Sequence, residues 1–462
     1  MQISSVGTSS PYPSAAAAAK VNALPAKSGN TDVDAVLTGS TNWWHDASNA
    51  MGVSQTTGMS NAKHALTFSF MPVANSARAN DNLGFQAMTD TTKAAVRSAL
   101  AYAATVANLS FEEVDSGGNL QFGTNNQQHK SGGYAYTPNS AGTDVASVYM
   151  ANDGYPQAST DWSEGSQAWA ALVHEVGHAL GLKHPGAYNA GGGKTPGPYL
   201  PKAEDNTRYS LMSYNNPADS MVAVSTDKGG GIYSLSLHNV QASSYEMVDV
   251  QALQYMYGKS TTAAETDAQT YAFADSDADK GEFLKTISNS NGQSMIDASG
   301  ESKSNVIDLR AGNFSSIGLR NPYAALGTPF NTAAKWAKSV HSTAKPTYTG
   351  ANNLAIAVGS HIDNAKGGSA ADTIVGNNDA TNTIDAGGGN DTIYLGKANS
   401  TVEGGSGIDT VLLAKLKTKW KVTFDANTGT YTCKNGAITN TLTGVESIKG
   451  WNGSKLKITA LA

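Results

Sequence analysis

The densest chemistry in the chain lies in the stretch His174-Glu175-Val176-Gly177-His178-Ala179-Leu180-Gly181-Leu182-Lys183-His184-Pro185. On a helix, His174 and His178 stand one turn apart on one face. Their imidazoles can then chelate a single zinc ion, and Glu175, one position on, reaches the rim of the same site and can hold an attacking water. His184 cannot join them if the helix continues, because six residues at about 100° each place it about 240° away from His178. The helix must therefore stop and turn. Gly181 sits where a left-handed residue would end it, and Pro185 discourages continuation beyond His184. Zinc held by three neutral imidazoles keeps its charge and acidifies a bound water, which is the chemistry of metal-assisted hydrolysis with Glu175 as general base.

The preceding residues must build the elements that carry this motif. Periodic structure begins at Thr41-Asn42-Trp43-Trp44. His64–Phe70 alternates apolar and polar residues, which predicts a half-buried strand ended by Pro72. Thr89 or Asp90 can cap a helix whose apolar positions Val96, Leu100, Ala103 and Ala107 recur at helical steps. Short strands are expected at Leu109–Val114, Asn119–Phe122 and Val145–Met150. Gly132–Pro138 reads as an edge strand, since Pro138 cannot sit inside a ladder. A helix from about Ser163 to Leu180 then carries the histidines.

Downstream, Arg208-Tyr209-Ser210-Leu211-Met212-Ser213-Tyr214 completes a pattern. The long histidine motif followed by this methionine-containing segment resembles the metzincin metalloproteases, and Ser210-Leu211-Met212-Ser213-Tyr214 resembles their serralysin branch. The resemblance implies an α+β metzincin catalytic domain acting on protein and peptide substrates. It implies that Met212 forms an apolar floor beneath the zinc histidines. It implies that Tyr214 is a further zinc ligand that swings away to stabilise the oxyanion. By family analogy, substrate lies extended along Gly133, Tyr134, Ala135 and Tyr136 as an added strand. Asp249–Gly258 resembles the helix that ends the serralysin catalytic domain, and a proteinaceous inhibitor is an expected partner.

From about Lys259 the pattern changes to short β-prone runs punctuated by Gly, Asn and Asp. A nine-residue period follows in Gly367–Val375, Ala386–Tyr394 and Gly404–Leu412, matching the G-G-x-G-x-D-x-U-x repeat of RTX-type calcium-binding parallel β-rolls. Ile374, Ile393 and Val411 occupy the inward position. Gly367, Gly368, Gly387, Gly389, Gly404, Gly405 and Gly407 supply turns, and Asp372, Asp391 and Asp409 supply hard oxygen ligands for calcium. Asp391 and Asp409 are 18 residues apart and fall on one side of the roll; Asp372 and Asp391 are 19 apart, which requires one extra residue around Asn377–Asp379. The array is worn: Ala370 and Ala386 replace glycines, Ser400 replaces an acid, and Ser294 stands where an aspartate is expected. Fewer calcium ions than in a full array are therefore expected.

Length and composition agree with two domains and exclude other classes. The 462 residues exceed what one core usually supports, and charged residues make up only 15%. A net charge of −6 offers no electrostatic case for nucleic acid or an anionic membrane. Cys433 is the single cysteine, so no intramolecular disulfide forms. No run long enough to span a membrane exists. Residues 1–41 read as a tail or a short propeptide that masks the site, and residues 319–350, with Trp336 and His341, as an insertion. Leu442–Ile448 resembles the strand cap after RTX rolls. The family's C-terminal region holds an uncleaved signal for type I export from Gram-negative bacteria, although Thr459-Ala460-Leu461-Ala462 lacks the usual preceding acid. The expected molecule is a secreted monomer with a zinc protease domain at about 42–258 and an all-β calcium β-roll at about 259–462. Two alternatives are a catalytically silent calcium-binding surface or adhesion protein on a metzincin scaffold, and a narrow processing protease for a co-exported protein.

Overall fold

The computed structural model describes residues 28–37, 64–74, 78–138, 145–154, 161–189, 193–228, 233–275, 282–322, 346–416 and 419–451, with the backbone of three further short strands. Two of these, β1 (Lys20–Asn22) and β2 (Trp43–His45), pair with each other. The third is Ile458–Leu461. Trp336 and His341 lie outside the described residues. No described helix is long and apolar enough to cross a membrane.

The N-terminal half is built on a five-stranded sheet. After helix α1 (Thr31–Val36) come β3 (His64–Phe70), the short helix α2 (Ala79–Asn82), α3 (Asp90–Val106), β4 (Leu109–Glu113), β5 (Leu120–Asn125), β6 (Gly133–Ala135) and β7 (Ala146–Ala151). The strand order is β4-β3-β5-β7-β6, parallel except for β6. The apolar residues of β3, Leu66 and Phe68, point into the core. Thr89 caps α3 by accepting the Thr92 N–H, and Val96, Leu100 and Ala103 form its buried face. Helix α4 (Gln167–Ala179) follows. It starts later than the periodicity suggests, because Gly165 sits at φ 84° and Ser166 then caps the first turn. A hairpin, β8 (Met221–Asp227) and β9 (Tyr233–Asn239), precedes α5 (Met247–Tyr257).

Residues 28–37 differ from the expected tail. Asn30 caps α1, and Val33, Ala35 and Val36 are buried in the main core. Leu37 bridges Leu182, Lys183 N–H donates to Val36 O at 2.8 Å, and Lys183 Nζ donates to the Ala35 and Pro198 carbonyls. This segment is therefore part of the wall behind the histidine loop. Its helix is too short to announce itself by periodicity, and the proline- and alanine-rich run before it hides the pattern.

The C-terminal half winds between two parallel sheets. One takes in Ser294–Gly300, Ile362–Lys366, Asn382–Asp385 and Ser400–Glu403; the other Val306–Asp308, Thr373–Val375, Thr392–Leu395 and Thr410–Leu413. Successive strands alternate sheets, which makes a parallel β-roll. Ile296, Ile307, Ile374, Ile384, Ile393, Val402 and Val411 fill a second core. Thr373 pairs with Thr392 and Asn364 with Thr383, each 19 residues on, whereas Asn382 pairs with Ser400, 18 on. The extra residue thus lies in the turn after Val375. The chain has the expected class, an α+β domain followed by an all-β roll.

Candidate metal centre and its cleft

Helix α4 carries His174 and His178 on one face, and Gly181 takes φ 107° to end it. The turn brings His184 back. His184 Nε2 lies 3.2 Å from His174 Nε2 and 3.0 Å from His178 Nε2. Two of the rings are oriented from behind. His174 Nδ1 meets Leu211 O at 2.9 Å and His178 Nδ1 meets Leu182 O at 2.9 Å. A carbonyl can only accept, so these Nδ1 atoms carry the protons and the Nε2 lone pairs converge on one point. Such lone pairs repel one another unless a cation lies between them. The spacing suits zinc, whose tetrahedral Zn–N bonds of about 2.0–2.1 Å place ligand nitrogens about 3.3 Å apart. Burial pushes His174 down to about 4 and His178 down to about 3, with His184 displaced in the same direction, so all three imidazoles are neutral. Among the described residues this is the only cluster of three or more His, Cys, Asp or Glu groups arranged to hold a metal.

Glu175 is buried beside the cluster. Burial raises its carboxyl to about 8, against a hydrogen bond from the Ala135 backbone that works the other way, and its Oε2 has no protein partner. A methyl on Gly133 would stand 2.9 Å from Glu175 Cγ, so only glycine lets strand β6 pass this close to that side chain. His174 and Glu175 open onto a cleft of about 850 Å³, walled by Gly132, Gly133, Trp162 and Tyr214.

Met212 is fully buried under α4, with its Sδ 2.8 Å from where a Gly177 side chain would begin. Tyr214 is about half exposed; its ring lies 4.2 Å from that of His184 and stacks 5.2 Å from Tyr188. The motif reading missed the residue that organises this turn. Asp249, buried in the first turn of α5, accepts Ser210 Oγ and Leu211 N–H, both at 2.6 Å, and Glu246 N–H at 3.0 Å. Leu211 O in turn holds His174. The available signal was an acid three residues after Glu246, a capping-box position. Tyr188 and Asp205 were missed for another reason. Tyr188 donates to Asp205 at 2.5 Å and accepts the Tyr214 N–H at 3.3 Å, contacts that a loop sequence does not disclose.

In the roll, Asp372, Asp391 and Asp409 stack. Asp391 Oδ1 accepts Asp372 N–H and Asp409 Oδ1 accepts Asp391 N–H, each at 2.8 Å. Asp391 Oδ2 and Asp409 Oδ2 are buried without a protein partner, while both Asp372 oxygens are bonded by Gly368 and Asn305. Gly387, Gly389, Gly405 and Gly407 all have positive φ, and Gly367, Gly368 and Gly404 lie between the same turns. A methyl on Gly405 would strike Gly387 O at 1.9 Å, so the turns stack at a distance only glycine permits. The opposite edge differs: Asn382 bonds Asn377 and Ser400, and Asn377 donates to Asp363 at 2.6 Å. Ser294 donates to Asn289 at 2.9 Å.

The chain is 32% identical over 342 residues to metallopeptidase AprA of Pseudomonas marginalis, across 70% of this chain and 62% of that protein. It is 30% identical over 265 residues to a serralysin of Proteus mirabilis, across 54% of this chain and 44% of the relative. It is also 30% identical to serralysin A of Dickeya chrysanthemi, across 55% and 52%. The matched stretch thus spans less than two thirds of the length of these relatives. No family model matches. The chain is thus similar to serralysin-type metalloproteases, and it carries a three-histidine cluster with a buried methionine beneath it.

Proposed function

We propose that the protein is a secreted zinc metalloendopeptidase that hydrolyses peptide bonds in proteins. The observation that carries this reading is the convergence of three neutral imidazole Nε2 atoms, 3.0 and 3.2 Å apart, beside a buried carboxyl with one unpartnered oxygen. Zinc bound there would polarise a peptide carbonyl and acidify a water. The protein's own groups do the rest. Glu175 takes the proton from the water and returns it to the leaving amine. Tyr214, at the cleft mouth, donates to the developing oxyanion when its ring moves off the histidines. The open edge of β6 pairs with the substrate main chain and aligns it over Glu175.

Calcium belongs to the same reading and sits on the Asp372–Asp391–Asp409 edge, where two carboxylate oxygens lack protein partners. On the opposite edge, amides and hydroxyls bond each other in place of metal. A roll that needs calcium stays loose where free calcium is low and folds outside the cell, which suits type I export and extracellular action by a monomer. A proteinaceous inhibitor would plug the same cleft.

Glu175→Ala tests the function. The variant should fold and retain zinc while losing at least 10³-fold in caseinolysis, since it removes the base but no ligand. A wild-type protein loaded with both metals that cleaves neither casein nor a peptide panel would refute the peptidase reading.

A further inference from the structure

We propose that Asp81 is a positioning residue of the cleft: from behind the sheet it anchors strand β6 and so holds that strand against Glu175. The inference rests on the peptidase reading for its catalytic consequence, but not for the clamp itself.

Strand β6 is three residues long and paired on one side only, to β7. Such a strand is marginal by itself. Tyr134 and Tyr136 alternate with Ala135 and so project to one face. Both phenols donate to the same oxygen: Tyr134 Oη and Tyr136 Oη each lie 2.8 Å from Asp81 Oδ1. Asp81 is 1% exposed, on the short helix α2. Asn125 ties the parts together by donating to Tyr134 Oη at 2.7 Å and to Asn80 O at 3.1 Å. The Arg78 guanidinium covers the Tyr136 ring at 4.3 Å.

The clamp acts where the chemistry is. Tyr136 N–H donates to Ser147 O and Gly132 O accepts Ala151 N–H, both at 2.9 Å, so these groups point into the sheet. The intervening Ala135 N–H faces the open edge, and two residues before it a Gly133 side chain would begin 2.9 Å from Glu175 Cγ. Fixing the side chains on either side of Ala135 therefore fixes the strand that packs on Glu175 and the edge along which substrate pairs. Losing the carboxylate removes the acceptor of both phenols at once. A misplacement near 1 Å at such a site can cost about 100-fold in rate.

The test uses the full-length protein loaded with zinc and calcium. Hydrogen exchange is followed in the segment spanning residues 132–137, with kcat and KM for a casein-derived peptide and zinc content measured in parallel. Asp81→Ala should exchange at least about tenfold faster in that segment than wild type, with α4 unchanged. Its kcat/KM should fall about 10–100-fold, with KM raised and zinc retained. Asp81→Asn, which keeps an acceptor of the same shape, should recover most of both. A purely structural role would lower the folded fraction without moving KM. If Asp81→Ala does not fold, the double variant Tyr134→Phe/Tyr136→Phe carries the same test, because it removes only the two hydroxyls. Unchanged exchange overturns the proposal, as does faster exchange with kcat/KM within twofold of wild type. Faster exchange in a protein whose wild type cleaves nothing supports the clamp and refutes the peptidase reading instead.

Discussion

Asp249 shows how much of a metal site can depend on a residue that touches neither metal nor substrate. It accepts three hydrogen bonds from the turn around Met212 and from its own helix start, and that turn supplies the carbonyl that orients His174. Asp249→Ala would leave buried donors unpartnered at about 1–3 kcal/mol each. Denaturant melts should show a loss of roughly 3–5 kcal/mol, and chelator competition a zinc affinity about 10–100-fold weaker. Gly177→Ala runs against helix propensity for a related reason. Alanine gains about 1 kcal/mol in a helix interior, yet its methyl would stand 2.8 Å from Met212 Sδ and 3.3 Å from Tyr245 Cε1. Both neighbours are fully buried, so the overpacking should prevail and the thermal midpoint should drop.

At the scale of elements, α1 and the start of α5 carry the predictions. Val33, Val36 and Leu37 are each at most 5% exposed, and burying such a side chain contributes about 1.5–3 kcal/mol. Deletion of residues 1–37 should melt well below deletion of residues 1–27 and should loosen the loop at His184. If both deletions melt alike, α1 is not part of the domain. At α5, burial raises Glu246 to about 8 and Asp249 to about 7. Both lie above the ordinary carboxylate range, so the protonated forms favour the fold. Their contribution is fully present below about pH 4 and is lost as pH rises through 7 and 8. Ser244 and Thr286 donate to Glu246 and moderate the effect. Glu246→Gln should flatten the fall in stability between pH 5 and 8 by on the order of 1–3 kcal/mol, measured by denaturant titration at each pH.

The whole molecule joins two cores with different requirements. The N-terminal core is continuous from Val33 to Tyr257 and takes in Tyr348 from beyond it; the roll has its own apolar spine. Calcium removal should therefore loosen the roll before the zinc domain, with a midpoint near 10⁻⁴–10⁻³ M calcium by circular dichroism. The double variant Asp391→Asn/Asp409→Asn should reverse the sign of the response. It removes the charge of two buried, mutually repelling carboxylates, so without calcium it should melt higher than wild type, and with calcium it should gain little.

By itself the sequence determined what is local and periodic. The helical spacing of His174 and His178, the stop at Gly181, the capped helix after Thr89, and the nine-residue repeat with its single extra residue all follow from short-range geometry. Each can be read without knowing what the segment packs against. Only the tertiary structure decided the rest, because the deciding contacts join residues far apart in the chain. Residues 28–37 become a wall through Leu182 and Lys183. Asp249 governs a turn centred on Met212, and Asp81 reaches Tyr134 and Tyr136 across three intervening elements. A lone buried acid has no periodicity, and its partner is set by how the sheet folds back on α4. That is why the three converging histidines were legible in the sequence, and the groups that hold them and the cleft in place were not.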